Sequence, residues 1–159
     1  MTANHDLTGK TIVVTGATSG IGRAAVRELA GRGAWVLGVG RSPERCREAR
    51  DAILAEHPDA RLAFAVADLS SLRQVRKLAC EIRERVLAEG GGKIDVLINN
   101  AGMQIVDSLV NTSIADGERL IELNLMVPLR MSKAVLPDMM QRRHGAIVDI
   151  ASMAGIMPA

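Results

Sequence analysis

Thr15-Gly16-Ala17-Thr18-Ser19-Gly20-Ile21-Gly22 is the stretch on which the fold turns. The residues that lead into it, Thr11-Ile12-Val13-Val14-Thr15, are all β-branched and read as a buried strand. The residues that follow it have a helical pattern. Between strand and helix, Gly16 permits a tight turn, Gly20 lets backbone approach a phosphate, and Gly22 lets the helix pack closely on the sheet. Backbone N–H groups at the start of that helix then face an anion held in the turn. A lone glycine pattern also occurs in tight turns that hold no ligand, so the reading depends on what lies further along the chain.

Outward from this turn, short β-rich apolar runs alternate with longer amphipathic stretches, the order expected of βαβ units on a parallel sheet. Strands are predicted near 11–15, 34–39, 61–67, 94–99 and 146–151, and helices near 20–32, 43–56, 71–89 and 114–142. The last helical stretch is long enough to be two helices or one kinked at Pro128. Ser42-Pro43 reads as an N-cap with proline in the first helical position, and Ser71 with Gln74 as a capping box. Gly31, Gly33 and Gly90-Gly91-Gly92 fall where helices must end. Residues 1–159 are read as a single domain, with the triple glycine as a surface loop.

Composition narrows the function. The 159 residues are 48 % hydrophobic and 24 % charged, enough for one globular core. Twenty Lys and Arg against eighteen Asp and Glu are spread through the predicted helices without a basic stripe, which argues against nucleic acid. Cys46 and Cys80 form no CxxC or Cys/His cluster, so no metal site is expected. Two reduced cysteines, no apolar leader at Met1–Asp6 and no membrane-length apolar run point to a cytoplasmic protein. Gly9-Lys10-Thr11 resembles the end of a Walker A loop, but Asn4 stands where its first glycine belongs and the triplet precedes a strand.

The residues at the ends of the predicted strands carry the chemistry. After the second strand, where an NAD enzyme places Asp or Glu against the ribose hydroxyls, this chain has Gly40 and then Arg41. A guanidinium can bind a 2′-phosphate that a carboxylate would repel, so NADP(H) is preferred, with NAD(H) as the alternative. Arg23 and Arg45 lie nearby and are read as solvated helix residues. Asp68-Leu69 follows the third strand and Asn99-Asn100-Ala101-Gly102 the fourth, where open α/β sheets bind ligands. Asn124 lies in the long helix, and Ser152 follows the fifth strand in Gly145-Ala146-Ile147-Val148-Asp149-Ile150-Ala151-Ser152.

The TGxxxGIG turn, Asp68-Leu69, the NNAG run and the strand leading to Ser152 together resemble the short-chain dehydrogenase/reductase family. The resemblance implies an α/β fold, a Rossmann-like doubly wound parallel sheet of about five strands in the order 3-2-1-4-5, incomplete beside the family's full length. It implies hydride transfer between a nicotinamide and a small-molecule carbonyl or secondary alcohol, with homo-oligomers common among full-length members. Cofactor contacts are expected from Gly16, Thr18, Ser19, Gly20, Ile21, Gly22, Arg41, Asp68, Leu69, Asn99, Ala101 and Gly102, with Asp68 at the adenine ring. Ser152 would polarise the substrate oxygen, and Asn124 would hold a water in the proton relay.

The family's proton donor is a tyrosine, followed by a lysine, in a YxxxK segment that would lie beyond Ala159, and the chain contains no tyrosine. The 159 residues alone are therefore expected to be inactive, as the front portion of a longer enzyme. The alternative is a catalytically inactive dinucleotide-binding remnant or interaction module.

Overall fold

The computed structural model describes residues 6–108 and 110–151. Strands β1 (Thr11–Thr15), β2 (Trp35–Gly40), β3 (Leu62–Val66), β4 (Val96–Asn99) and β5 (Ala146–Asp149) form one sheet in the order β3-β2-β1-β4-β5. Every neighbouring pair is parallel. The connections are α1 (Gly20–Gly31), α2 (Pro43–Glu56), α3 (Leu72–Ala88), and between β4 and β5 α4 (Ile114–Ile121) and α5 (Val127–Arg142).

Alternation along the strands sorts the apolar side chains into two layers. Ile12, Val14 and Val36 pack with Val26 and Ala30 of α1 and Ile53 of α2. Val13, Leu37 and Leu97 face the other way, onto Val75, Leu78, Ile82 and Val86 of α3 and Val127 and Met131 of α5. The α3 residues recur at helical spacing, which is why that helix can lay one apolar stripe on the sheet. With both faces covered, β1 and β2 are buried at every position, as parallel strands require.

Helix starts follow their sequence signals, with one difference. Ser42 Oγ accepts the Arg45 N–H at 3.3 Å with Pro43 in the first turn, and Ser71 Oγ accepts the Gln74 N–H at 3.5 Å. The capping box at Ser71 is only half formed: the Gln74 side chain accepts the N–H of Asp68 at 2.9 Å instead of that of Ser71.

The long helical stretch resolves into α4, a π-helical turn at Glu122–Met126, and α5. Pro128 has no N–H to give the carbonyl four residues back, at Asn124, and the helix widens just before it. Arg130 pairs with Glu122 across the widened turn.

At the opposite, amino-terminal end of the sheet, buried Asp95 ties three strands. Its Oδ2 accepts the Thr11 N–H at 3.0 Å, its own N–H donates to the Thr11 carbonyl at 2.8 Å, and its carbonyl accepts the Ala146 N–H at 2.9 Å. Lys93 and Arg142 lie 3.4 and 4.0 Å from its carboxylate and compensate the charge that burial would otherwise penalise, with His144 Nε2 at 3.7 Å.

Candidate functional site

The chain leaves β1 toward β2 on one side and reaches β4 on the other, so the carboxyl ends of β1 and β4 flank a topological switch point. A cleft of about 470 Å³ opens there, within the range of small-molecule sites.

Its floor is the glycine turn. Gly16 and Gly20 have φ of 66° and 52°, the left-handed region that glycine enters without steric cost. A Cβ on Gly22 would lie 2.3 Å from the Gly16 carbonyl oxygen and 2.4 Å from Asn100 Nδ2, so only glycine fits the helix against the turn. Around Gly20 there is nothing within 4 Å of where a Cβ would stand, which leaves the face of that peptide open.

Two polar side chains brace this floor. Thr15 Oγ1 accepts the N–H groups of Asn100 and Ala101, both at 3.0 Å. Asn100 Nδ2 donates to the carbonyls of Thr15 and Gly16 at 3.0 and 3.1 Å. Thr15 and the second asparagine of the NNAG run therefore lock the ends of β1 and β4 together and fix the shape of the turn.

The start of α1 differs from the other helix starts. Ser42, Ser71 and Ser113 each accept an amide N–H of their own helix, whereas Ser19, also an N-cap serine, makes no side-chain capping bond. The first amides of α1 are thus left to an outside acceptor, with the positive end of the helix dipole behind them.

Of the residues singled out in the sequence, Thr18, Ser19, Arg41, Asp68, Leu69, Ala101 and Gly102 line the cleft with Gly16. Gly20, Ile21 and Gly22 are the first residues of α1 and do not line the cleft, with Ile21 exposed. Asp68 Oδ1 accepts the Ser70 N–H and hydroxyl at 3.0 and 2.7 Å, which fixes the carboxylate at the end of β3. Gly40 makes room for Thr18 and Cys46, and burial pushes the Cys46 thiol up from its ordinary range.

Asn99 departs from expectation. Its side chain is buried away from the cleft, and Nδ2 donates to Asp149 at 2.8 Å and to Ser132 at 3.3 Å, so it joins β4 to β5 and α5. Strand alternation explains this: Asn99 shares the face of Leu97, under α5, and Asn100 turns to the glycine loop. Asn124, in the π-helical turn, makes a two-way clamp on the backbone of Met103, accepting its N–H and donating to its carbonyl at 2.8 Å each. That clamp holds the loop after Gly102, and a relay role for Asn124 remains an expectation from the resemblance. Ser152 lies outside the described residues.

The cleft also contains residues that sequence reading set aside or passed over: Arg45, Ser70, Met103, Arg119 and Leu123. Arg119 and Leu123 come from the α4 region, whose proximity to the β4 end no local signal announces. Among the described residues there is no cluster of His, Cys, Asp and Glu fit for a metal, and no helix long and apolar enough to cross a membrane.

The short chain dehydrogenase family profile matches residues 10–159. The chain is 37 % identical over 150 residues to the ketoacyl reductase HetN of Nostoc sp., covering 94 % of this chain and 50 % of that protein. It is 38 % identical over 149 residues to the 3-oxoacyl (acyl carrier protein) reductase FabG of Escherichia coli, covering 94 % and 57 %. Among solved structures it resembles a metagenomic short-chain oxidoreductase in complex with NADP, with a TM-score of 0.85, 33 % identity, and coverage of 98 % of this chain and 67 % of that one. A short-chain dehydrogenase of Sphingobium yanoikuyae in complex with NADPH gives a TM-score of 0.83 at 33 % identity, covering 94 % and 56 %. The chain spans about half the length of these curated relatives. Sheet order, glycine turn and match across residues 10–159 agree, and the chain belongs to the short-chain dehydrogenase family.

Proposed function

We propose that residues 1–159 carry the NADP(H)-binding site of an oxidoreductase whose whole protein transfers hydride between the nicotinamide and a small carbonyl or secondary alcohol. The uncapped start of α1 beside the open face of Gly20 is the observation that carries this reading, since the first amides of the helix are left to an outside anion. The turn from Gly16 to Gly22 would hold the pyrophosphate, Asp68 and Leu69 the adenine, and Ala101-Gly102 the path onward across β4. NADP and NADPH in the two similar structures support the cofactor. NAD(H) is the weaker alternative, because Arg41 stands where a ribose-binding carboxylate would be needed.

When bound, the nicotinamide supplies the hydride. On this chain Ser152 would orient the substrate oxygen, and the Asn124 clamp would hold the loop at Met103. No tyrosine is present to give the alkoxide its proton, so the 159 residues alone are proposed to bind cofactor without turnover. The whole protein is proposed to be a cytoplasmic homo-oligomer, a reading supported by the unpaired Cys46 and Cys80 and the exposed apolar residues of α4 and α5.

Arg41→Asp tests the cofactor assignment. Losing a charge-assisted phosphate contact should weaken NADPH binding by about 10- to 100-fold, with NADH binding changed by less than about twofold. Isothermal titration with both cofactors reads the difference, and equal losses would remove Arg41 from the 2′-phosphate.

A further inference from the structure

We infer that the crevice between α3 and α5, at the amino-terminal end of the sheet, is a second small-molecule site, one that takes a carboxylate with a compact apolar tail. It is independent of the NADP(H) reading above.

The crevice has a volume of about 430 Å³, within the range of small-molecule sites. It shares no lining residue with the cleft at the carboxyl ends of the strands. Ile82 and Val86 of α3 and Met131 of α5 are buried and hold both helices on the sheet. Beside them the walls include Ala79 on α3 and Ala134 on α5, and a methyl group is too short to bridge two helices, so the space stays open. Gly92, with φ of 80°, turns the glycine-rich loop back toward β4, and Lys93 and Ile94 close one end. Leu87, which also lines the crevice, is 62 % exposed. An apolar tail lying here would take that surface out of water.

Charge selects the head group. The charged residues that line the crevice are Arg83, Lys93 and Asp138. Asp138 already accepts the Arg142 Nε–H at 2.8 Å, and Lys93 lies 3.4 Å from Asp95. Arg83 has no ion-pairing or hydrogen-bonding side-chain partner among the described residues, unlike Arg85 on the same helix, which pairs with Glu81 at 2.9 Å.

An uncommitted guanidinium beside an apolar interior fits a carboxylate, which its planar fork can hold through two hydrogen bonds. An ammonium head would be repelled by Arg83 and Lys93. A neutral head would leave the guanidinium without a counter-charge.

The test is titration of this chain with octanoate, followed by the chemical shifts of its backbone amides, beside 1-octanol and octylammonium as tails of the same length. Octanoate should bind saturably, with the shifts centred on the second half of α3 and the Gly92–Ile94 segment. Octanol should bind about fivefold more weakly, and octylammonium not detectably. Arg83→Gln should weaken octanoate about fivefold and bring it level with octanol. Ala134→Leu and, separately, Ala79→Leu place a branched side chain in the space and should abolish saturable octanoate binding. Both alanines are exposed on their helices, so each variant keeps the fold, which circular dichroism checks. Absence of saturable octanoate binding, shifts confined to the exposed apolar residues of α4 and α5, equal affinity for octylammonium, or undiminished binding in both leucine variants would overturn the site.

Discussion

β1 and β5 belong to one parallel sheet with only β4 between them, yet they are built differently. All five residues of β1 are buried, and its end is cross-braced by Thr15 and Asn100. In β5 only Ile147 is half-buried and the other residues are exposed. The helices beside β5 continue the contrast: Ile121, Leu125, Leu129, Leu136 and Met140 are 43–67 % exposed and recur at helical spacing. The half of the sheet that forms the cleft is stabilised by the buried clusters on both faces of β1 and β2, whereas the β5 flank leaves apolar surface in water. The proposed nucleotide cleft and the exposed apolar flank thus occupy different parts of the sheet.

The largest expected effect comes from truncating a branched apolar side chain to alanine on each of the two sides. Leu97, fully buried in β4, should cost about 3 kcal/mol when replaced by alanine, from lost transfer energy and the cavity left behind. Val148, 40 % exposed in β5, should cost less than about 1 kcal/mol on the same replacement. Urea unfolding of both variants measures the difference. Similar losses would mean that the β5 flank is as tightly integrated as the centre, and the contrast would fail.

Gly22→Ala acts at the seam of the braced region. In an open helix the alanine would gain about 1 kcal/mol. Here its Cβ would press on the Gly16 carbonyl and Asn100 Nδ2, so a net loss of about 2 kcal/mol is expected, with NADPH affinity falling as the turn is displaced. A stable variant that still binds NADPH would show that the turn can yield, and that its glycine floor is not what shapes the site.

Much of this was legible in the sequence because the signals are local. β-branched runs, the Ser42-Pro43 start and the TGxxxGIG turn fix strands, a helix entry and the switch point by chemistry within a few residues. Strand order came from the family resemblance, and it brings Arg41 and Asp68 to one cleft at the strand ends. What sequence reading missed depends on side-chain direction. Asn99 and Asn100 are adjacent and chemically identical, and only the pleat decides that one braces β5 and the other the glycine turn. Gln74 caps Asp68 because the loop before α3 brings that N–H within reach, which the spacing of a capping box does not reveal. The π-helical turn needed both Pro128 and the packing around it, and sequence reading offered only a kink or a break.

The smallest expected effect is a gain, from the second helical glycine. Gly117 lies in the middle of α4, has no heavy atom within 4 Å of a built Cβ, and already donates its N–H to the Ser113 carbonyl at 3.0 Å. Alanine there removes backbone freedom from the unfolded chain without meeting anything in the folded one, so Gly117→Ala should stabilise by about 0.5–1 kcal/mol. For a chain of this length that corresponds to a thermal midpoint about 1–4 °C higher. The same substitution thus reverses sign between Gly22 and Gly117, although both are helical glycines. NADPH affinity supplies the sharper reading, because α4 also sends Arg119 into the cleft. An unchanged affinity would keep the two regions independent. A changed one would show that the order of α4 is felt at the cofactor site, and the separation between braced centre and open flank would have to be redrawn through α4.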